Sequence, residues 1–96
     1  MKFEWDETKA RSNLLKHEIA FEDAVYVFDD PFILNGLDRF AEGEERWEAI
    51  GSVGGTLNLF VSYTIRHEGL PQEAIRIISA RRATPHEKRR YEQERR

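Results

Sequence analysis

The residues best suited to do chemistry in this 96-residue sequence lie near its end, in Ile75-Arg76-Ile77-Ile78-Ser79-Ala80-Arg81-Arg82-Ala83-Thr84. A guanidinium presents a planar fork of donors that grips phosphate oxygens in pairs. On a strand, side chains alternate between faces, which puts Ile75, Ile77 and Ser79 on one side and Arg76, Ile78 and Ala80 on the other. The spacing directs Arg76 toward an open concavity, and Arg81 and Arg82 follow where the strand ends. Thr84, Pro85 and Glu87 then read as a helix start, with proline at the first helical position and a Thr-x-x-Glu capping box. A helix N-terminus adds unsatisfied N–H donors, so three arginines and a helix start are expected to converge on one phosphate site. The other reading is that these arginines pair with carboxylates on the surface, as most charge clusters do. Spacing alone leaves both open.

Further candidates are scattered along the chain. His17 closes an expected first helix beside Lys16, where an imidazole can move a proton near neutral pH or simply interact with the last carbonyls and the dipole. Glu44-Glu45-Arg46-Trp47 sits at the start of a strand. There Arg46 either joins the anion site or pairs with Glu48 or another acidic neighbour, and Trp47 reads as core or as a base-stacking platform. Tyr91 is a stacking group for a base or the residue that pins the last helix to the sheet. Lys88-Arg89-Arg90 and Arg95-Arg96 form a basic run, solvated or in contact with a phosphate backbone. Other motifs are missing. His17, His67 and His86 have no metal-ligand spacing, and there is neither a phosphate-binding Gly-rich loop nor a Gly-x-Ser-x-Gly elbow. Neither a metal nor a cofactor is expected.

The elements that must position these residues follow from the hydrophobic pattern. Phe3-Glu4-Trp5 alternates like a short strand, Asp6 is an N-cap, and Ala10, Leu14 and His17 mark a helix over Glu7–His17. Phe21, Ala24, Val25 and Phe28 predict a second helix over Phe21–Phe28, ended by Asp29-Asp30-Pro31. Phe32-Ile33-Leu34 opens a strand, Asn35-Gly36 predicts a tight turn, and residues 41–45 an acidic loop. Arg46–Val53, a Gly54-Gly55 turn and Thr56–Ile65 read as a hairpin, with Leu57, Leu59, Val61, Tyr63 and Ile65 on one apolar face. Ala74–Ala80 is the last strand and Pro85 onward the last helix. The expected fold class is α+β in the order β-α-α-β-β-β-β-α: two N-terminal helices, an antiparallel sheet and a C-terminal helix.

Length allows one domain over residues 1–96, burying about 60–65% of its unfolded surface. The chain is 40% hydrophobic and 34% charged, apolar enough to fold, and no apolar run approaches the roughly 18–20 residues a membrane span needs. No cysteine is present, which excludes a disulfide scaffold or a thiolate site and suits a reducing, cytoplasmic setting. No signal-peptide core is expected at the start. The net charge of −3 conceals an asymmetry: residues 1–48 hold 13 acidic against 6 basic side chains, and residues 76–96 hold 8 basic against 3 acidic. A basic end of this kind points to a polyanion, and an acidic half can equally meet a basic partner.

The chain resembles the BrnT toxins. The likeness rests on Phe3-Glu4-Trp5-Asp6-Glu7, Asn13-Leu14, Lys16-His17, Phe21-Glu22-Asp23-Ala24 and Val27-Phe28-Asp29-Asp30-Pro31. It continues through Glu45-Arg46-Trp47, Ile50-Gly51, Tyr63-Thr64 and, above all, Arg76 through Thr84 with Glu87 and Tyr91. One departure is Lys16-His17-Glu18, where the family has Lys-His-Gly. The resemblance implies a RelE-like fold and the toxin half of a type II toxin–antitoxin pair. It further implies a ribonuclease that cuts mRNA and arrests translation. A BrnA-like antitoxin with a ribbon-helix-helix domain would silence it, in a heterotetramer that reaches operator DNA only through the antitoxin.

Metal-free RNA cleavage needs a group to take the 2′-hydroxyl proton and positive charge for the phosphorane. On this reading Arg76, Arg81 and Arg82, with Arg46 as a fourth, hold the phosphate, and His17 or Glu45 moves the proton. Lys88, Arg89 and Tyr91 position the RNA. The alternatives from other classes are a nucleic-acid-binding module without catalysis and a protein-interaction subunit.

Overall fold

Alternating side chains between residues 34 and 82 build four long strands, and the helices that precede them cover one side. The computed structural model describes residues 1–67, 69 and 71–94. Arg95 and Arg96 of the basic run lie outside the described residues. The elements are β1 (Lys2–Glu4), α1 (Glu7–His17), α2 (Phe21–Ala24), a 3₁₀ turn (Val25–Asp29), β2 (Leu34–Ala41), β3 (Glu44–Val53), β4 (Leu57–Arg66), β5 (Ala74–Arg82) and α3 (Pro85–Glu94). The sheet order is β1-β5-β4-β3-β2. β2 through β5 form an antiparallel meander, and β1 adds to β5 in parallel. The class is α+β as expected. Among the described residues no helix is long and apolar enough to cross a membrane.

Helix α1 begins where Asp6 Oδ1 accepts from the Thr8 and Lys9 N–H groups at 2.8 and 3.1 Å. It ends at Glu18, whose N–H donates to the Leu14 carbonyl at 2.9 Å from a left-handed backbone, φ 59°. That conformation costs a residue with a Cβ roughly 1–2 kcal/mol and glycine almost nothing. Glu18→Gly is therefore expected to stabilise the chain by about 0.5–1 kcal/mol after the extra unfolded-state entropy of glycine is deducted, raising Tm by roughly 2–8 °C. An unchanged or lower Tm would show that Glu18 carries no strain.

The second helix is shorter than its pattern predicts. Phe21, Ala24 and Val27 are all fully buried, and their spacing of three is the period of a 3₁₀ helix. The chain therefore tightens after Ala24. Asn35-Gly36 does not turn either. Asn35 stays in β2 and its Oδ1 accepts from the Tyr63 hydroxyl at 2.6 Å. The turn falls at Glu42-Gly43, where both residues have positive φ, as a two-residue hairpin requires.

The core lies between the helices and one face of the sheet. Leu59, Val61 and Tyr63 of β4 meet Phe21, Ala24 and Val27, flanked by Ala49 and Ile77. Phe28 stacks against Phe3 and sets its edge on Tyr63 at 5.4 and 5.0 Å between centroids. Asn13 joins α1 to the part of β5 that β1 does not reach. Its amide donates to the carbonyls of Ala80 at 2.8 Å and Ile19 at 3.0 Å, and its oxygen accepts from the Ala80 N–H at 3.1 Å. Helix α3 lies against the opposite face of the sheet, near β3. There Tyr91 is buried and donates to Asp30, whose carboxylate also accepts from the Ser52 N–H.

Candidate functional site

A bulge decides which arginines share a face. Tyr63 pairs with Ile77 and Ser62 with Ser79, so Ile78 is an extra residue in β5. Five residues apart on a regular strand, Arg76 and Arg81 would point to opposite sides. The bulge inverts the alternation beyond Ile78. Ala80 consequently joins Ile77 in the core, while Ser79 and Arg81 come to the face of Arg76. This corrects the expected assignment of Ser79 and Ala80. Arg82 pairs with Leu59, a core residue, and so lies at the exposed end of the helix-covered face. The three arginines do not converge on one point.

On the face away from α1 and α2, side chains form rows that run across the strands. In the first, Glu4 of β1 lies beside Arg76 of β5 and Arg76 beside Thr64 of β4. Trp47 opposes Tyr63, so the next residues along, Arg46 and Thr64, come side by side, with Arg39 of β2 opposite Arg46. In the second row Ser79, Ser62, Glu48 and Gly36 are successive partners. In the third, Arg81 lies beside Phe60, Phe60 beside Ile50, and Ile50 beside Leu34.

The first row holds polar groups that nothing among the described residues satisfies. Glu4 Oε2 accepts from Arg66 at 3.0 Å and Arg76 at 3.3 Å, and its Oε1 is buried without a partner among the described residues. The Arg46 side chain is only 16% exposed; it touches Glu42 at 3.5 Å, and its Nε is likewise buried and unpartnered. Thr64 is fully buried with an unpartnered hydroxyl. Each such group costs about 1–3 kcal/mol unless an acceptor or donor arrives. Two arginines flanking a buried hydroxyl are the donor set an anion would satisfy.

The third row is already complete. Arg81 lies 4.3 Å over the Phe60 ring, and its fork reaches both Glu87 carboxylate oxygens at 2.8 and 3.0 Å. The Glu87 bonds raise the Arg81 pKa against the effect of burial, with a contribution from Glu48. Burial by itself would raise the Glu87 carboxyl, but Arg81 and the Thr84 N–H more than reverse this and hold it below its ordinary value. The capping box forms as predicted: Thr84 N donates to Glu87 Oε1 at 2.9 Å, and Glu87 N to Thr84 Oγ1 at 3.2 Å. Glu87 thus occupies the seat that sequence spacing assigned to a phosphate.

The remaining candidates are dispersed. His17 and Lys16 border an open cleft of about 200 Å³ between α1 and β5, together with Ile78 and Ser79. Glu45 pairs with Phe40 and, one residue from Arg46, points to the other face; alternation keeps it from the arginines. Tyr91 is 2% exposed and bonded to Asp30, so it pins α3 and offers no ring to a base. Lys88 and Arg89 are exposed on α3. Trp47 packs against the core. Sequence reasoning did not single out Thr64, which the fold sets between Arg46 and Arg76, and considered Glu48 only as a partner for Arg46, which instead meets Glu42. Their signal was available in polar residues alternating along β3 and β4 on the side opposite the core set.

Residues 5–87 match the sequence model of a family described as the ribonuclease toxin, BrnT, of type II toxin–antitoxin systems. Among solved structures, the fold is similar to the 1.1 Å crystal structure of the Brucella abortus ribonuclease toxin BrnT. The TM-score is 0.66 at 28% sequence identity, over 88% of this chain and 97% of that one. Among curated protein sequences, none matches the chain.

Proposed function

This chain belongs to the BrnT family of ribonuclease toxins from type II toxin–antitoxin systems, and we propose that it is an endoribonuclease that cuts mRNA by metal-independent attack of the ribose 2′-hydroxyl. The observation that carries this reading is the row of Arg46, Thr64 and Arg76, with its buried unpartnered Arg46 Nε and Thr64 hydroxyl. The phosphate takes the place of Glu42 at Arg46 and of Glu4 at Arg76, exchanging contacts of 3.3–3.5 Å for paired charge-assisted bonds. Positive charge set in advance on a half-buried sheet face stabilises the phosphorane more than it stabilises the ground-state phosphate. Arg82, Lys88 and Arg89 are exposed and serve to hold flanking phosphates. Arg81 acts indirectly, fixing α3 through Glu87.

On this reading the partner is a BrnA-like ribbon-helix-helix antitoxin. It covers the basic face in a cytoplasmic heterotetramer and alone contacts operator DNA.

The test is a purified chain with end-labelled RNA in excess EDTA. Cleavage to 2′,3′-cyclic phosphate and 5′-hydroxyl ends is expected. Binding without cleavage would replace the reading with a non-catalytic RNA-binding module.

A further inference from the structure

The row between the two arginine-bearing rows is a trough. Its members are Ser79, Ser62, Glu48 and Gly36, three of them small, and the space beside Gly36 is open for at least 4 Å. The rows on either side carry Arg46 and Arg76 on one flank and Phe60 with Arg81 on the other. Arg46 and Ile50 mark the two flanks on β3, and four residues at about 3.3 Å each set them about 13 Å apart. A single ribose-phosphate chain fits that width. At its β5 end the trough meets the cleft that holds His17 and Lys16, because Ser79 lines both.

One carboxylate stands in this trough. Glu48 is half-buried in a central strand; its carboxylate forms no hydrogen bond or close ion pair with the described residues, and its charge is felt by Arg81 across the trough. The other carboxylates lie outside the trough: in the free protein Glu4 holds Arg66 and Arg76 from the edge strand, Glu42 touches Arg46 from the β2–β3 turn, Glu87 holds Arg81, and Glu45 faces away.

Resting on the ribonuclease reading above, we propose that Glu48 is the catalytic base. With the phosphate over Arg46 and Arg76, the adjoining ribose lies in the trough, its 2′-hydroxyl toward the Glu48 carboxylate. The carboxylate takes the 2′-hydroxyl proton as that oxygen bonds to phosphorus. The bond from phosphorus to the 5′-oxygen breaks, and the departing oxygen takes a proton from water. The products are a 2′,3′-cyclic phosphate and a 5′-hydroxyl, and Glu48 then returns its proton to solvent.

The experiment compares wild type, Glu48→Gln and Glu48→Ala on the same RNA in EDTA, with thermal melts for each. Glu48→Gln is expected to melt like wild type, keep KM within about three-fold and lose kcat by about 100-fold or more, the usual effect of a general base. Formate at tens of millimolar is expected to restore part of the Glu48→Ala rate by supplying the missing carboxylate. A Glu48→Gln rate within three-fold of wild type overturns the proposal while leaving the ribonuclease reading intact. So does a loss that formate does not repair, which would make Glu48 a support for the arginines. A wild-type chain that binds RNA without cutting it removes both.

Discussion

Arg46→Ala is expected to lower kcat/KM for RNA cleavage by about a thousand-fold, in line with removal of a preorganised charge from a reacting centre. Arg46 is the arginine whose side chain is least exposed among the proposed phosphate ligands, and its Nε has no partner among the described residues. Arg46→Lys keeps the charge but lacks the planar two-nitrogen fork, so it should recover less than a tenth of the rate. Arg81→Ala makes the informative contrast. Arg81 is held by Glu87 in two parallel bonds, so its loss should appear as destabilisation of about 1.5–3 kcal/mol with kcat within about ten-fold. Steady-state kinetics and urea denaturation on the three variants check this. A large rate loss for Arg81→Ala with full stability, and a mild one for Arg46→Ala, would move the reacting phosphate to the start of α3.

Asn13→Ala should cost about 3 kcal/mol, lowering Tm by roughly 12–24 °C. The Asn13 amide satisfies three backbone groups, Ala80 N–H, Ala80 C=O and Ile19 C=O, at a buried site. Truncation leaves all three without partners, each a desolvation penalty of about 1–3 kcal/mol that local relaxation and entering water partly offset. Asn13→Asp should fare little better, since a carboxylate cannot donate to the two carbonyls. Urea denaturation measures the effect. A cost below about 1 kcal/mol would mean that the edge of β5 beyond β1 needs no side-chain partner.

Legibility followed the range of the forces involved. Helix α1 and the Thr84–Glu87 capping box were readable because an N-cap, a helical stripe and a three-residue reciprocal bond are all local. Asn35-Gly36 misled because its turn propensity is outweighed by the Asn35–Tyr63 bond, made by residues 28 apart in sequence. The parallel pairing of Phe3 with Ile75 is longer-range still and left no mark in either segment. For the site, the arginines were visible as residue types, but their grouping depended on the Ile78 bulge, which reversed every face downstream of it. Glu87 illustrates the other blind spot. Its role in the capping box was plain, yet the same carboxylate also clamps Arg81, which only the fold of the strand end onto α3 reveals.

The central claim is that RNA lies on the open face of the sheet, across Arg46, Glu48, Ser62, Ser79 and Arg76. Its most direct test is a titration of the labelled chain with a fully 2′-O-methylated, uncleavable RNA oligonucleotide, followed through backbone amide shifts by NMR. The expected result is perturbation concentrated in β3, β4 and β5 at those five residues and at Lys16 and His17, with smaller shifts at Arg82, Lys88 and Arg89, where flanking phosphates lie. Shifts confined to Arg81, Arg82 and the first turn of α3, with the central strands silent, would contradict it.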